Sequence, residues 1–385
     1  MLVFEVYLPP SLVLDILSRL TDSTDLARCR LSSKTLNDLS CEVRTLNHLR
    51  SLSQYHKSRS SDANPLIMPF KDHLQEPEVP RKKIVCRDDY DDLYFLDVSF
   101  MKEWLLVIGS RLRSLSISDF WSQSSWRRPD ALALISSCCS CLVELELKNT
   151  WLSVDGLNIM PKLTNLTLDF VRLDDEDLNK VNCCFLGLQV LNLIGVGGLK
   201  EPKIDLLHLK SFHWTVSNAP LSLIIMAPNL IELKLECNKP KLLVLDTPCL
   251  SDLHLTIEEA NEFKLKSLVF EMPQACRIVK MLTVDIPISI DSVAPKLSLG
   301  TLFDCFPNLR SLKLGLELGG LEGGIGMKSV KEITTYLMLY ELDTTLLFLF
   351  CVLDRCTNFS DVSLLIQREI DSSTASKFIS KCRAI

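Results

Sequence analysis

Three groups of side chains have the types and spacing to raise a question of chemistry. Cys138-Cys139-Ser140-Cys141 contains a C-x-x-C, half of a tetrahedral zinc ligand set. The other half needs a second spaced pair, and Cys183-Cys184 is adjacent instead, so these thiols read as small buried residues of a return helix. Gly319 to Ser329 (GGLEGGIGMKS) has the glycine content of a phosphate-cradling loop. Such a loop needs Gly and Lys adjacent to set the ammonium over the phosphates, yet Met327 separates Gly326 from Lys328; the run reads as a turn. His213 and His254 hold equivalent places in two repeated phrases, but no carboxylate or thiolate stands at ligand spacing, so they read as surface histidines. No H-E-x-x-H, G-x-S-x-G or kinase signature is present. The residues therefore point to no catalytic group, no metal and no cofactor. They describe a protein that binds rather than one that transforms.

What binds must be positioned, and leucine does the positioning. The chain has 385 residues, of which 73 are Leu, about 19%. From about residue 105 the phrase L-x-x-L-x-L recurs, starting at Leu112, Leu142, Leu163, Leu188, Leu209, Leu230, Leu250, Leu265 and Leu309. The central copies are 20 to 25 residues apart, the period of leucine-rich repeats. The 44 residues between the last two copies leave room for one degenerate repeat, and LLVLDT at Leu242 for an extra short one. Proline stands two residues ahead of Leu163, Leu230, Leu250 and Leu309, where a loop hands over to a strand that proline could not join. Within x-L-x-L-x the leucines share the inner face and the residues between them face out. Return segments are predicted helical at Lys102–Ile108, Asp130–Ile135 and Asp174–Val181. One strand and one return cannot bury their own apolar face, so the units stack into an α/β leucine-rich-repeat solenoid with parallel strands on its concave face.

The exposed column of that solenoid is the candidate recognition surface. Its middle positions are Ser116, Glu146, Thr167, Asn192, His213, Lys234, His254, Val269 and Lys313. Mixed polarity fits a protein partner better than nucleic acid, which favours a basic stripe.

Residues 8–49 follow another grammar. Leu12, Ile16 and Leu20 recur at i, i+4, i+8, and Asp22, Ser23 or Thr24 can cap a second short helix. A third helix is predicted from Ser33, with Leu36, Leu39, Val43 and Leu46 on one stripe. Three short helices make a marginal core unless one face docks on something. From Leu8 the chain reads L-P-P-S-L-V-L-D-I-L-S-R-L, and from Asp25 D-L-A-R-C-R-L-S-S-K-T-L. These runs resemble an F-box, and the whole chain is similar to the plant F-box/leucine-rich-repeat proteins. The resemblance implies that the F-box grips a Skp-family adaptor, which links to a cullin and a RING subunit. It implies too that the repeats select a protein to be ubiquitinated. By position, Leu8, Pro9, Leu12, Ile16, Leu17 and Leu20 match the family's first-helix contacts. Cys29, Arg30, Leu31, Ser33 and Lys34 match its basic, small apolar and S-K segment. Leu36 stands where the family commonly has Trp, and Leu31 where it often has Val; both remain apolar.

The expected organisation is an F-box at 1–50, a partly ordered linker at 51–98, and a repeat domain at 99–385 ending in a helical segment. The apolar window Thr334–Asp354, broken by Glu341 and Asp343, reads as a buried helix rather than a membrane span. Lys and Arg number 42 against 48 Asp and Glu, a net charge of -6, which disfavours nucleic acid and anionic membrane surfaces as partners. An odd count of 15 Cys without a regular framework, and no basic segment ahead of the first apolar run, point to the cytosol or nucleus. The expected function is a substrate-recognition adapter of a ubiquitin ligase. A non-ligase scaffold, or a ligand-dependent receptor working through the same ligase, are the alternatives.

Overall fold

Most rungs of the ladder start with the same four-residue turn. In Met160-Pro161-Lys162-Leu163 the Leu163 amide donates to the Met160 carbonyl at 3.2 Å; the turns ending at Leu230, Leu250 and Leu309 close at 3.0, 3.1 and 3.2 Å. Proline is second in all four, where its fixed φ suits the turn and its missing N–H is not needed. Copies without proline close likewise, as at Phe185–Leu188 (3.1 Å). The leucine that ends the turn is buried, and the next two amides converge on one carbonyl of the preceding rung. Thr164 and Asn165, for example, both donate to Val143 O, at 2.9 and 3.0 Å. The turn thereby fixes the register of the strand that follows.

The computed structural model describes residues 8–20, 23–40, 42–49, 96, 98–118, 128–216, 220–237, 241–256, 272–285, 304–315, 330–337 and 360–366, with isolated positions 376 and 380. The chain divides into two compact units, Met1–Leu199 and Lys200–Ile385. The first opens with helices α1 (Pro10–Ser18), α2 (Ser23–Ser32) and α3 (Lys34–Ser40), α3 packing on both others. Strand β1 (Thr45–Leu49), helix α4 (Val98–Ile108), β2 (Ser114–Ser118) and helix α5 (Ala131–Cys138) follow. Then come β3 (Glu144–Lys148), β4 (Asn165–Asp169), helix α6 (Asp175–Cys184) and β5 (Val190–Ile194). The five strands pair in parallel, in chain order. All three helical returns stand where the sequence predicts them. Helix α6 begins with a full capping box: Asp174 accepts from the Asp177 amide at 2.8 Å, and Asp177 from the Asp174 amide at 3.2 Å.

The third helix is shorter than its apolar stripe suggested. It stops at Ser40, and Leu46 belongs to a strand that pairs with β2. Arg44 O receives the amides of Arg113 and Ser114 at 2.8 and 3.2 Å, a long-range pairing that outweighs the weak drive of a short helix. The ladder thus starts inside residues 1–50, and residues 51–98, nearly all outside the described set, connect two paired strands.

The second unit contains β6 (Lys203–Asp205), β7 (Ser211–Val216), β8 (Ser222–Met226), β9 (Glu232–Cys237), β10 (Leu242–Asp246) and β11 (Asp252–Thr256). Helix α7 (Pro273–Ile278), β12 (Met281–Asp285), β13 (Ser311–Gly315), β14 (Glu332–Leu337) and β15 (Asp361–Ile366) complete it. Strands β7, β9, β11, β12, β13, β14 and β15 form the parallel ladder; β6, β8 and β10 form a second parallel sheet from the returns. LLVLDT at Leu242 is therefore β10, a return strand rather than a rung. The 44-residue interval does hold a degenerate repeat, β12, written V-x-x-L-x-V with Val279, Leu282 and Val284 buried. Strand β11 pairs directly with β12. The phrase at Leu265, with Val269, and the glycine run lie outside the described residues. Thr334 lies in β14, so the predicted helix does not begin there; 338–354 are outside the described set.

Along β3, β4, β5 and β7 burial alternates with side-chain direction, whereas in β2 the outward Ser116 and Ser118 are buried too, so the expected exposed column does not include Ser116. Leu145, Leu147, Leu166, Leu168, Leu191 and Leu193 are buried inward, and in β7 the pair is Phe212 and Trp214, rings 6.1 Å apart. Asn149, Phe170 and Gly195 follow β3, β4 and β5 with φ of 57°, 51° and 60°, one left-handed position repeated on successive rungs. Gly195 is required there, since a Cβ would lie 2.7 Å from the Phe170 ring. Among the described residues no helix is long and apolar enough to cross a membrane.

Candidate functional site

Helix α1 has Pro9 as its N-cap residue and Pro10 in its first turn, both tolerated because the first amides of a helix have no internal acceptor. Its apolar residues divide between two faces. Leu17 is buried (3% exposed) and anchors the helix within the module. Leu8, Leu12 and Ile16, four residues apart, remain 39%, 44% and 47% exposed, and Pro9 beside them is exposed. On α2, Leu31 is 89% exposed. Single exposed leucines are ordinary on a protein surface, but Leu12 and Ile16, one turn apart on α1 with Leu8 just ahead of it, form an apolar face suited to docking, and Leu31 of α2 is a further exposed aliphatic of the same module. The other matched positions have structural partners. Arg30 Nε donates to Asn37 Oδ1 at 3.3 Å, and Ser33 Oγ caps α3 by accepting from the Leu36 amide at 3.1 Å. Cys29 and Leu20 are half-buried, and Lys34 is exposed at the start of α3.

In the first unit the register brings Ser116, Glu146, Thr167 and Asn192 into one row. Ser116 Oγ donates to Glu146 Oε2 at 2.6 Å, and Asn192 Nδ2 to Thr167 Oγ1 at 2.9 Å. Lys148 reaches Glu146 at 2.9 Å and Asp169 at 3.6 Å. Burial raises the Glu146 pKa, but the Ser116 hydroxyl and the Lys148 ammonium outweigh it, and the net shift is downward. At Asp169 burial dominates, and the pKa is raised despite Lys148.

In the second unit a separate row runs His213, Lys234, His254, Thr283, Lys313, Thr334 and Ser363. His213 Nε2 lies 2.9 Å from Thr215 Oγ1 and 3.6 Å from Glu236, which Lys234 also reaches at 2.5 Å. His254 Nε2 meets Asp285 at 2.7 Å. Both histidines thus have carboxylate partners, each one rung further along the ladder. Sequence spacing hid them because strand neighbours are a whole repeat apart. Lys313 is exposed. Among the described residues no group of three His, Cys, Asp or Glu could hold a metal ion. Cys139 is buried at the end of α5, its pKa pushed up to about 12 by burial, the inert small residue expected there.

The comparisons agree with this geometry. The F-box-like family model matches residues 6–47, which cover α1, α2 and α3. An F-box/LRR-repeat protein of Arabidopsis thaliana is 46% identical over 423 residues, spanning 97% of this chain and 94% of that protein. An F-box followed by a stacked ladder of parallel strands, with a relative of that organisation aligned over nearly its whole length, places the chain in the plant F-box/leucine-rich-repeat family.

Proposed function

We propose that this chain is the substrate-recognition adapter of a Skp–cullin–F-box ubiquitin ligase. The observation that carries the reading is the division of labour in α1: Leu17 holds the module together, while Leu8, Leu12 and Ile16, with Leu31 of α2, stay open to a partner. That partner is a Skp-family adaptor, which brings a cullin and a RING subunit. The ladder rows, with Glu146, Thr167 and Asn192 in one unit and His213, Lys234, His254 and Lys313 in the other, hold the protein to be modified. The chain supplies no catalytic group. Its contribution is proximity, since holding a lysine beside a ubiquitin-charged enzyme raises the effective concentration of both. Nine described cysteines are free thiols, which suits work in the cytosol or nucleus.

Recovering the tagged chain and its ubiquitin conjugates from plant cells tests this. The parent should bring down cullin and conjugates; Leu12→Glu with Ile16→Asp should lose both. Lys234→Ala with Lys313→Ala should keep cullin and lose part of the captured set. A folded parent that recovers no cullin would leave a leucine-rich scaffold in place of a ligase subunit.

A further inference from the structure

Lysines on the rungs described so far have acids beside them: Lys148 reaches Glu146 and Asp169, and Lys234 reaches Glu236. At the start of β12, β13 and β14 in the second unit this pairing stops. Lys280, Arg310 and Lys331 occupy one place on three successive rungs, just ahead of each strand, and all three are exposed. The backbone holds them together, since the Arg310 amide donates to Lys280 O and the Lys331 amide to Arg310 O, each at 2.8 Å. Neighbouring rungs stand about 4.8 Å apart. Arg277, exposed in the last turn of α7, joins the row, because its carbonyl accepts from Asn308 Nδ2 at 2.6 Å, two residues ahead of Arg310. Lys313, also exposed, lies on the same rung as Arg310. Like charges on adjacent strands destabilise a sheet, and the chain's net charge of -6 leaves acids to spare. Even so, Asp304, Glu332 and Asp361 nearby form no ion pair with Arg277, Lys280, Arg310 or Lys331 among the described residues.

We propose that this cationic strip binds a short acidic segment of a partner protein. The row spans two rung spacings, about 10 Å, and an extended segment sets alternate side chains about 7 Å apart, so two or three carboxylates can meet it. The guanidiniums grip carboxylates through paired charge-assisted hydrogen bonds, and the lysines add mobile point charges. Acids close the strip at both ends: Asp252 pairs in register with Met281 on the β11 side, and Glu332 with Asp361 on the β15 side. A nucleic acid, whose phosphates continue without a break, would run onto these acids; a short protein segment ends between them. Met281, 44% exposed beside Lys280, offers a contact to an aliphatic side chain among the carboxylates and nothing to a phosphate. Because the chain as a whole is negative, the attraction is confined to the strip and fixes where the segment lands. The proposal does not depend on the ligase reading.

Fluorescence anisotropy of a labelled peptide of six glutamates and one leucine, titrated with the full chain, tests it. Saturable binding is expected at about 50 mM salt, weakened about tenfold or more at about 500 mM as the exposed charges are screened. Lys280→Gln with Arg310→Gln and Lys331→Gln should weaken the peptide about tenfold or more. Lys102→Gln with Lys162→Gln and Lys241→Gln, which removes the same charge from exposed positions elsewhere, should leave the affinity unchanged. The melting temperature of each triple variant reports that it is folded. Absence of saturable binding, equal weakening in both triple variants, or a thymidylate heptamer binding as tightly as the peptide would each overturn the assignment.

Discussion

Removing Arg128 should destabilise the first unit far more than neutralising the acid it pairs with. Arg128 Nη2 lies 2.5 Å from Asp177 Oδ1, and Arg128 Nε donates to Leu152 O at 3.2 Å. The Asp177 side chain is only 3% exposed, that of Arg128 36%. Burial raises the Asp177 pKa above its usual value even with the Asp174 amide and Arg128 acting against it, so the pair does not fully repay its desolvation. Breaking a buried pair from the cation side costs about 3–5 kcal/mol. Asp177 keeps the Asp174 amide and can take up a proton, which places Arg128→Ala near the lower end, at about 3 kcal/mol. Asp177→Asn keeps one acceptor oxygen for the Asp174 amide and sets its NH2 beside Arg128, which is partly solvated and can turn to water; about 1 kcal/mol is expected. The pH dependence separates the two. A carboxyl whose folded pKa lies above its unfolded value contributes stability that is present below the unfolded pKa and lost as pH rises through the folded one. Without Arg128 the folded pKa rises further, so the Arg128→Ala deficit should be largest near neutrality and shrink on acidification. Native-state hydrogen exchange at the amides of β4, α6 and β5 reads the local opening energy. Equal costs for the two variants, or a deficit that grows on acidification, would refute the reasoning.

Three further outcomes are expected. Gly195→Ala should cost about 1–2 kcal/mol for a left-handed alanine, with about 1–3 kcal/mol more for displacing the Phe170 ring, read as the loss in urea midpoint of the first unit. Leu17→Ala should lower the melting temperature with a core penalty of about 2–5 kcal/mol, whereas Leu31→Ala should leave melting unchanged and weaken adaptor binding by about 1–3 kcal/mol. Burial, then Lys234, hold the His213 pKa below its ordinary 6.5 despite Glu236. The neutral ring's contribution is therefore present above about pH 6.5 and lost as pH falls through the folded pKa, so melting of His213→Gln between about pH 7.5 and 5.5 should be flatter than the parent's.

The ladder was legible because its physics is local. A buried leucine after a four-residue turn, then two more at alternate positions, writes one rung into six residues, and nine phrases announced the architecture. Where leucine gave way to valine, as in β12, only the spacing hinted at a rung. Strand β10 reads like a rung because alternation specifies a strand and an inner face but not which of two sheets it joins. Strand β1 was hidden by a helical stripe, since its pairing comes from Arg113 and Ser114, nearly seventy residues away. The i, i+4 spacing put Leu12 and Ile16 on one face of α1, and only the resemblance implied that this face, with Leu8, is open to a partner. Leu17 could not be told from them by family position, because membership of a motif does not say which face of the helix a residue occupies.

Equilibrium binding of the purified full chain to a purified Skp-family adaptor tests the central claim most directly, beside a variant carrying Leu8→Ala, Pro9→Ala and Ile16→Asp. A one-to-one complex is expected for the parent. In the variant it should be lost, because an unpaired carboxylate buried on the docking face costs several kcal/mol. A folded parent that does not bind, or a variant that binds as tightly, would contradict the assignment of this face to the adaptor.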